Sequence, residues 1–272
     1  MPHRISSVCL FVAVCFHAVL AACAKSSVRT PDDGGEPRGD AGPPVLCDGS
    51  SSIRLAFAVR ATPFPHAGHF NFENGSSFLI ISGMCDYWTF GPPSFDGVQL
   101  DDVHTGHLTV AESQSIAERV RYGSLAALAG DYQVDDHYSY DTYITDGVNV
   151  IICPSVLCPD AEDPAVPAIL TTVSDVVGEL YDTGVPVAGD IWYEIEPFDS
   201  TLPHTPVEWP LSIPLVPGRG RAATRDAAVL RGIRARVRAG EFCLNCAFIP
   251  FRVTGGPTFS VSLRDSIPFE DA

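Results

Sequence analysis

The sequence predicts an α+β fold: a mostly antiparallel sheet with about three helices, stabilised by disulfides. Three observations lead there. Six runs rich in β-branched and aromatic residues are bounded by Gly, Pro or Asp, as strands are. Only three segments carry helical spacing, and they interrupt the strands irregularly, so the regular βαβ alternation of a Rossmann or TIM fold is missing. Six cysteines lie beyond residue 46, an even number that in an exported chain points to bridges.

In chain order, "IRLAFAVRA" (Ile53 to Ala61) and "SSFLIISG" (Ser76 to Gly83) are the first strands. A helix then opens at Thr109, where Glu112 completes a capping box and Ile116, Ala117 and Val120 follow at helical spacing. The strand "NVIIC" (Asn149 to Cys153) precedes a second helix, with Asp163 as N-cap and Pro164 at the first position. Val166, Ile169, Leu170, Val173, Val177 and Leu180 mark its apolar face, and Gly184 stops it. After the strand "DIWYEIEPF" (Asp190 to Phe198), a third helix runs from about Ala222 to Ala239, with Val229, Leu230, Ile233 and Val237 on one face. "CAFIPFRVT" (Cys246 to Thr254) and "TFSVSLRD" (Thr258 to Asp265) close the chain as a hairpin around Gly255-Gly256-Pro257. Residues 47–272 are thus expected to form a globular α+β body, with a possible subdivision near residue 199.

Residues 1–22 read as a signal peptide. Arg4 supplies the charged start, and Ile5 to Ala22 is an apolar run broken only by Ser6, Ser7 and His17. That run is near the lower limit for a membrane span, but Ala21, Ala22 and the polar, proline-rich sequel argue against a retained anchor. Ala22-Cys23-Ala24 would also suit an ordinary signal peptidase. The residues Leu20-Ala21-Ala22-Cys23 resemble the lipobox of bacterial lipoproteins. That resemblance implies that the Cys23 thiol carries diacylglycerol, that the chain is cut before it, and that the new amino terminus is acylated. Ala24, not being Asp, resembles an outer-membrane address. From Ala24 to Leu46 the chain is Pro, Gly, Asp and Ser with almost no apolar content, so residues 23–46 are expected to be a lipidated cysteine and a flexible tether. Its reach would be roughly 25 to 30 Å.

Charge narrows the partners. The chain carries a net charge of −16, and removal of residues 1–22 takes away Arg4 and no acid. Such a body repels nucleic acid and anionic membrane surfaces, so no nucleic-acid partner is expected and the membrane is reached through the lipid. Lys25 is the only lysine, as arginine-favouring codons of a GC-rich genome would produce.

Among the body cysteines, sequence proximity suggests the pairs Cys153–Cys158 and Cys243–Cys246, leaving Cys47 with Cys85. A rival is a zinc site built from "CPSVLC" and "CLNC". A redox role for "CLNC" is disfavoured because the pair runs into a strand rather than a helix N-terminus.

The remaining chemical signals are weak. "HAGH" (His66, His69) and "HTGH" (His104, His107) are the best metal candidates, but on extended chain each pair would point to opposite sides. "GDYQVDDHYSYDTYITDG" carries Asp131, Asp135, Asp136, Asp141 and Asp146 without an EF-hand pattern, so a solvated acidic loop is favoured over calcium. Aromatics here and in "FPHAGHFNFENG" and "CDYWTFGPPSF" would make a glycan-stacking surface or, more often, core. "GRGRAA" (Gly218 to Ala223) matches a dinucleotide fingerprint, with Glu241 about where a ribose acid would lie, but Pro214 and Pro217 break the strand it needs. Arg219, Arg221, Arg225, Arg231, Arg234, Arg236 and Arg238 face only Asp226 nearby; a solvated helix face paired with the acidic body is favoured over a docking face for phosphate-bearing envelope lipid or an acidic partner. There is no G-x-S-x-G, and a P-loop is excluded because Lys25 lies in the tether.

The body as a whole resembles exported lipoproteins of GC-rich Gram-negative soil bacteria that carry no assigned activity. "CDGS" with "IRLAF", "FENGSSFLIISGMCDYW", "GHLTVAESQSIAERVRYG" and "SLRDSIPFED" carry the likeness. The expectation is a lipid-anchored envelope protein, at the outer membrane, that binds an envelope protein or glycan or supports surface structure, with no cofactor. The alternative is a metal-dependent or hydrolytic envelope enzyme using the four histidines or the acids near Asp136.

Overall fold

The computed structural model describes residues 45–61, 75–91, 102–132, 140–153, 158–159, 161–198, 205–212, 214–241 and 249–268. Among them the chain is α+β, with thirteen strands in two sheets and four helices. The signal peptide, Cys23 and the tether up to residue 44 lie outside the described residues, as do His66, His69, Asp135, Asp136, Cys243 and Cys246.

The first sheet has eight strands in the order β5-β7-β6-β1-β2-β3-β4-β8. These are β1 (Ile53–Ala61), β2 (Gly75–Ser82), β3 (Asp86–Phe90), β4 (His104–His107), β5 (Gly130–Asp131), β6 (Tyr140–Thr145), β7 (Val150–Cys153) and β8 (Val185–Pro186). All pairings are antiparallel except β5 with β7. Its central strands are buried on both faces, which is why they read as nearly continuous apolar runs. Leu55, Phe57, Val59, Leu79 and Ile81 meet the helices, while Ala56, Ala58, Phe78 and Ile80 pack on the other face with Phe90, Val103 and Ile267.

The helices on the first face are α1 (Val110–Arg119), the short α2 (Leu125–Leu128) and α3 (Ala165–Thr183). The Thr109 side chain accepts from the Glu112 N–H at 3.2 Å while Glu112 accepts from the Thr109 N–H at 2.7 Å, so the capping box forms as the spacing predicts. Asp163 Oδ1 accepts from the Ala165 N–H at 2.8 Å, ahead of a helix that buries Val166, Ile169, Leu170, Val173, Val176, Val177 and Leu180. A two-pronged pair, Arg119 with Glu179 at 2.6 and 2.7 Å, ties α1 to α3.

The second sheet has five strands in the order β10-β12-β13-β9-β11. They are β9 (Ile191–Pro197), β10 (Val207–Glu208), β11 (Gly218–Ala222), β12 (Ile249–Arg252) and β13 (Thr258–Asp265). Only β10 with β12 is parallel. The β12–β13 hairpin turns at Gly255, whose φ of +75° favours glycine. Helix α4 (Thr224–Arg238) covers one face with Ala227, Leu230, Ile233 and Val237. Leu230, Ile233 and Val237 face inward as the spacing predicts, but Val229 is 43 % exposed, and Ala227 and Arg234 complete the buried face instead.

Seven strands beyond the six sequence runs complete the sheets: β3, β4, β5, β6, β8, β10 and β11. Part of the expected acidic loop is β6, and the "GRGRAA" segment is an edge strand leading into α4. No helix among the described residues is long and apolar enough to cross a membrane.

Candidate functional site

The two described histidines sit on β4 and turn away from each other, as residues three apart on a strand must. His104 points to the α3 side: its ring stacks on Tyr181 at 4.0 Å, and Nδ1 lies 2.6 Å from the Tyr181 carbonyl oxygen. His107 points the other way, with Nδ1 2.9 Å from Oδ1 of its cross-strand neighbour Asp86. Tyr87 donates to the Leu180 carbonyl at 3.3 Å, which also accepts from the Gly184 N–H at 2.9 Å, so Tyr87 and His104 both engage carbonyls of the last turn of α3. Among the described residues no three His, Cys, Asp or Glu side chains gather at metal-holding distance.

The glycines of the two motifs have a packing reason. Gly106 of "HTGH" lies opposite Tyr87 in the register, and a Cβ there would come within 2.5 Å of the Tyr87 hydroxyl. Gly220 of "GRGRAA" lies opposite Tyr193, and a Cβ there would come within 2.2 Å of that ring. Each glycine leaves its pleat position open for a tyrosine from the adjacent strand. Strand β11 is also antiparallel to β9, whereas a pyrophosphate loop requires a parallel βαβ crossover. Glu241 accepts from Arg236 at 2.7 Å.

Cys47 is bridged to Cys85, and Cys153 to Cys158. The second bridge is fully buried and ties up both thiols that "CPSVLC" would have offered to zinc. Of the acidic run, Asp131 is in β5 and Asp141 in β6, while Asp146 closes the β6–β7 turn. Its carboxylate accepts from the N–H groups of Val148 and Asn149 at 2.9 and 2.7 Å and from the Asn149 amide at 2.8 Å. Burial pushes this carboxyl up, but those hydrogen bonds outweigh it and hold Asp146 below the usual carboxylate range. The aromatics of "CDYWTF" belong to the core: Tyr87 is buried, Trp88 packs against the second face, and Phe90 stacks on Phe78 at 5.8 Å.

Six of the seven arginines of residues 219–238, Arg219, Arg221, Arg231, Arg234, Arg236 and Arg238, are matched by acids. Arg219 pairs with Glu194 at 2.8 Å and Arg221 with Asp190 at 2.9 Å, and Arg221 also lies 5.4 Å above the Trp192 ring. Arg231, Arg234 and Arg238 converge on a cluster that joins the two sheets. Asp265, fully buried at the end of β13, accepts from Arg231 at 2.6 Å, from Arg234 at 2.7 Å and from the Val103 N–H at 3.1 Å. Arg234 is 1 % exposed and also donates to Asp102, whose other oxygen lies 3.4 Å from Arg238. Arg231 further donates to the carbonyls of Gly189 and Asp190. Burial pushes the Asp102 carboxyl up, but the guanidiniums of Arg234 and Arg238 outweigh this and hold it below its usual value. The Arg234 Nε is buried without a partner among the protein groups. Asp102 and Asp265 carry no local sequence signal; only an arginine on the apolar face of a helix, three after Arg231, hints that a buried acid must meet it.

No protein-family model, curated protein or solved structure matches this chain.

Proposed function

We propose that the chain is a lipid-anchored envelope protein that works by binding or by supporting surface structure, and that Cys23 is its point of attachment. The observation that carries the reading is the sequence Leu20-Ala21-Ala22-Cys23 followed by a Pro-, Gly- and Asp-rich stretch. Two internal disulfides support export, since such bridges persist in oxidising compartments. Attachment follows from lipid arithmetic: each buried methylene contributes about 0.8 kcal/mol and two anchoring signals already hold stably, so a triacylated cysteine would not leave the bilayer. Cys23→Ala tests it. Membrane fractionation and labelled-palmitate incorporation should both be lost, and retention of either returns the segment to an uncleaved anchor.

A further inference from the structure

We propose that the end of the first sheet where β1 begins is a membrane-contact surface, on which the body rests against zwitterionic lipid. The strand pairing brings several turns to this end. Ile53 at the start of β1 lies opposite Ser82 at the end of β2, and Ala56 lies opposite Thr145 at the end of β6, so the β2–β3 and β6–β7 turns project beyond the start of β1. His107, the last residue of β4, lies opposite Asp86, the first of β3, which places the start of α1 there too. Each of these segments carries an apolar tip: Val148 in the β6–β7 turn, Met84 in the β2–β3 turn, Val110 at the start of α1 and Val45 ahead of β1, all 43 to 88 % exposed. Half of the exposed large apolar side chains among the described residues thus share one sheet end, whereas scattered singles would need no explanation.

The place where the chain enters the body selects the occupant. Cys47 is bridged to Cys85 beside Met84, the Gly49 N–H donates to the Gly83 carbonyl at 2.8 Å, and the Leu108 N–H donates to the Cys85 carbonyl at 2.9 Å, so Val45, Met84 and Val110 are held around one bridge. Leu46 is buried, so the fold takes hold of the chain immediately after Val45. Residues 24–44 separate Val45 from Cys23, a length that keeps this end within about 75 Å of a bilayer that holds Cys23. Four side chains are too few to keep a free body on lipid, but at the effective concentration a short tether imposes, a weak contact is occupied much of the time. Charge decides the kind of lipid. Asp48, Asp86, Glu112 and Asp146 lie at the same end, and an anionic surface would repel these carboxylates. A zwitterionic surface presents no such opposition. A second copy docked end to end would set the four acids against their own counterparts, which disfavours self-association.

The inference rests on the reading that Cys23 is the anchor, but the two are tested by different readouts. Apart from Met1 in the signal peptide, Met84 is the only methionine of the chain, so its oxidation by hydrogen peroxide reports its own contact with water. The full chain is reconstituted into phosphatidylcholine vesicles, and so is the variant V110E with V148E, which changes two exposed positions. Met84 of the native chain should oxidise at least about threefold more slowly than Met84 of the variant. Should the variant fold poorly, the unaltered chain decides: exchanging part of the lipid for phosphatidylglycerol should abolish the protection. Equal rates in the native and variant chains overturn the proposal, and so does protection that phosphatidylglycerol leaves unmoved or strengthens. Protection that grows with the number of chains per vesicle points to a second copy and overturns it too. Absent palmitate labelling with Met84 still protected removes only the lipid, and a labelled chain with Met84 unprotected removes only the contact.

Discussion

At the scale of single residues, the clearest consequence is that two glycines are held by tyrosines rather than by ligands. Gly106→Ala should destabilise more than Gly220→Ala. Tyr87 is 4 % exposed with its hydroxyl donating to Leu180, so it has no room to yield, whereas Tyr193 is only half-buried. Overpacking of the first kind costs about 1–3 kcal/mol, readable as a lower urea midpoint; equal midpoints would remove this account. Asp265→Asn should cost about 3–5 kcal/mol in the same measurement, because it leaves Arg231 and Arg234 short of a buried counter-charge. Sequence reasoning reached neither residue. The "HTGH" and "GRGRAA" patterns suggested metal and nucleotide because a glycine's neighbour across a sheet is invisible in the linear order. Asp265 ends a strand whose alternation marks it as inward, but its three donors come from positions 103, 231 and 234.

At the scale of elements, legibility followed the locality of the signal. The cap of α1, the bounds of β1 and β13 and the apolar faces of α1 and α3 rest on contacts within a few residues, and all were readable. Strands β3, β4, β6 and β11 were not, since each takes its conformation from a neighbouring strand: β4 lies between β3 and β8, and β6 between β1 and β7. Helix α4 shows the limit of periodicity. Both Val229 and Leu230 fit a helical stripe, and the choice between them was made by the second sheet and by the acids that drew Arg234 inward. Thr109→Ala should remove one side of the α1 capping box and lower stability by about 1 kcal/mol, and Thr109→Ser should restore most of it. If both variants unfold at the same midpoint as the native chain, the box contributes nothing.

At the scale of the whole molecule, the bridges and the carboxylates set the conditions of stability. Replacing Cys47 and Cys85 together should cost more than replacing Cys153 and Cys158, because the first bridge closes 38 residues and the second 5. Loop entropy gives about 4 against about 2 kcal/mol, and the reverse order of denaturation midpoints would show that enthalpy rules instead. Acid should act through Asp102 and Asp146, whose folded carboxyls lie below the ordinary 3.8. Groups lowered on folding contribute stability that is complete above the unfolded value and is lost as pH falls through the folded one, so melting temperature should hold from neutrality and drop only below about pH 4. The cluster at Asp265 also has a bearing on time. Val103 must wait 162 residues for its acceptor, and Asp102 waits 132 for Arg234. A chain emerging from its amino end can complete the helices of its first sheet early, yet the joint between the sheets closes only after β13 has arrived, so any interruption before Asp265 leaves that joint open.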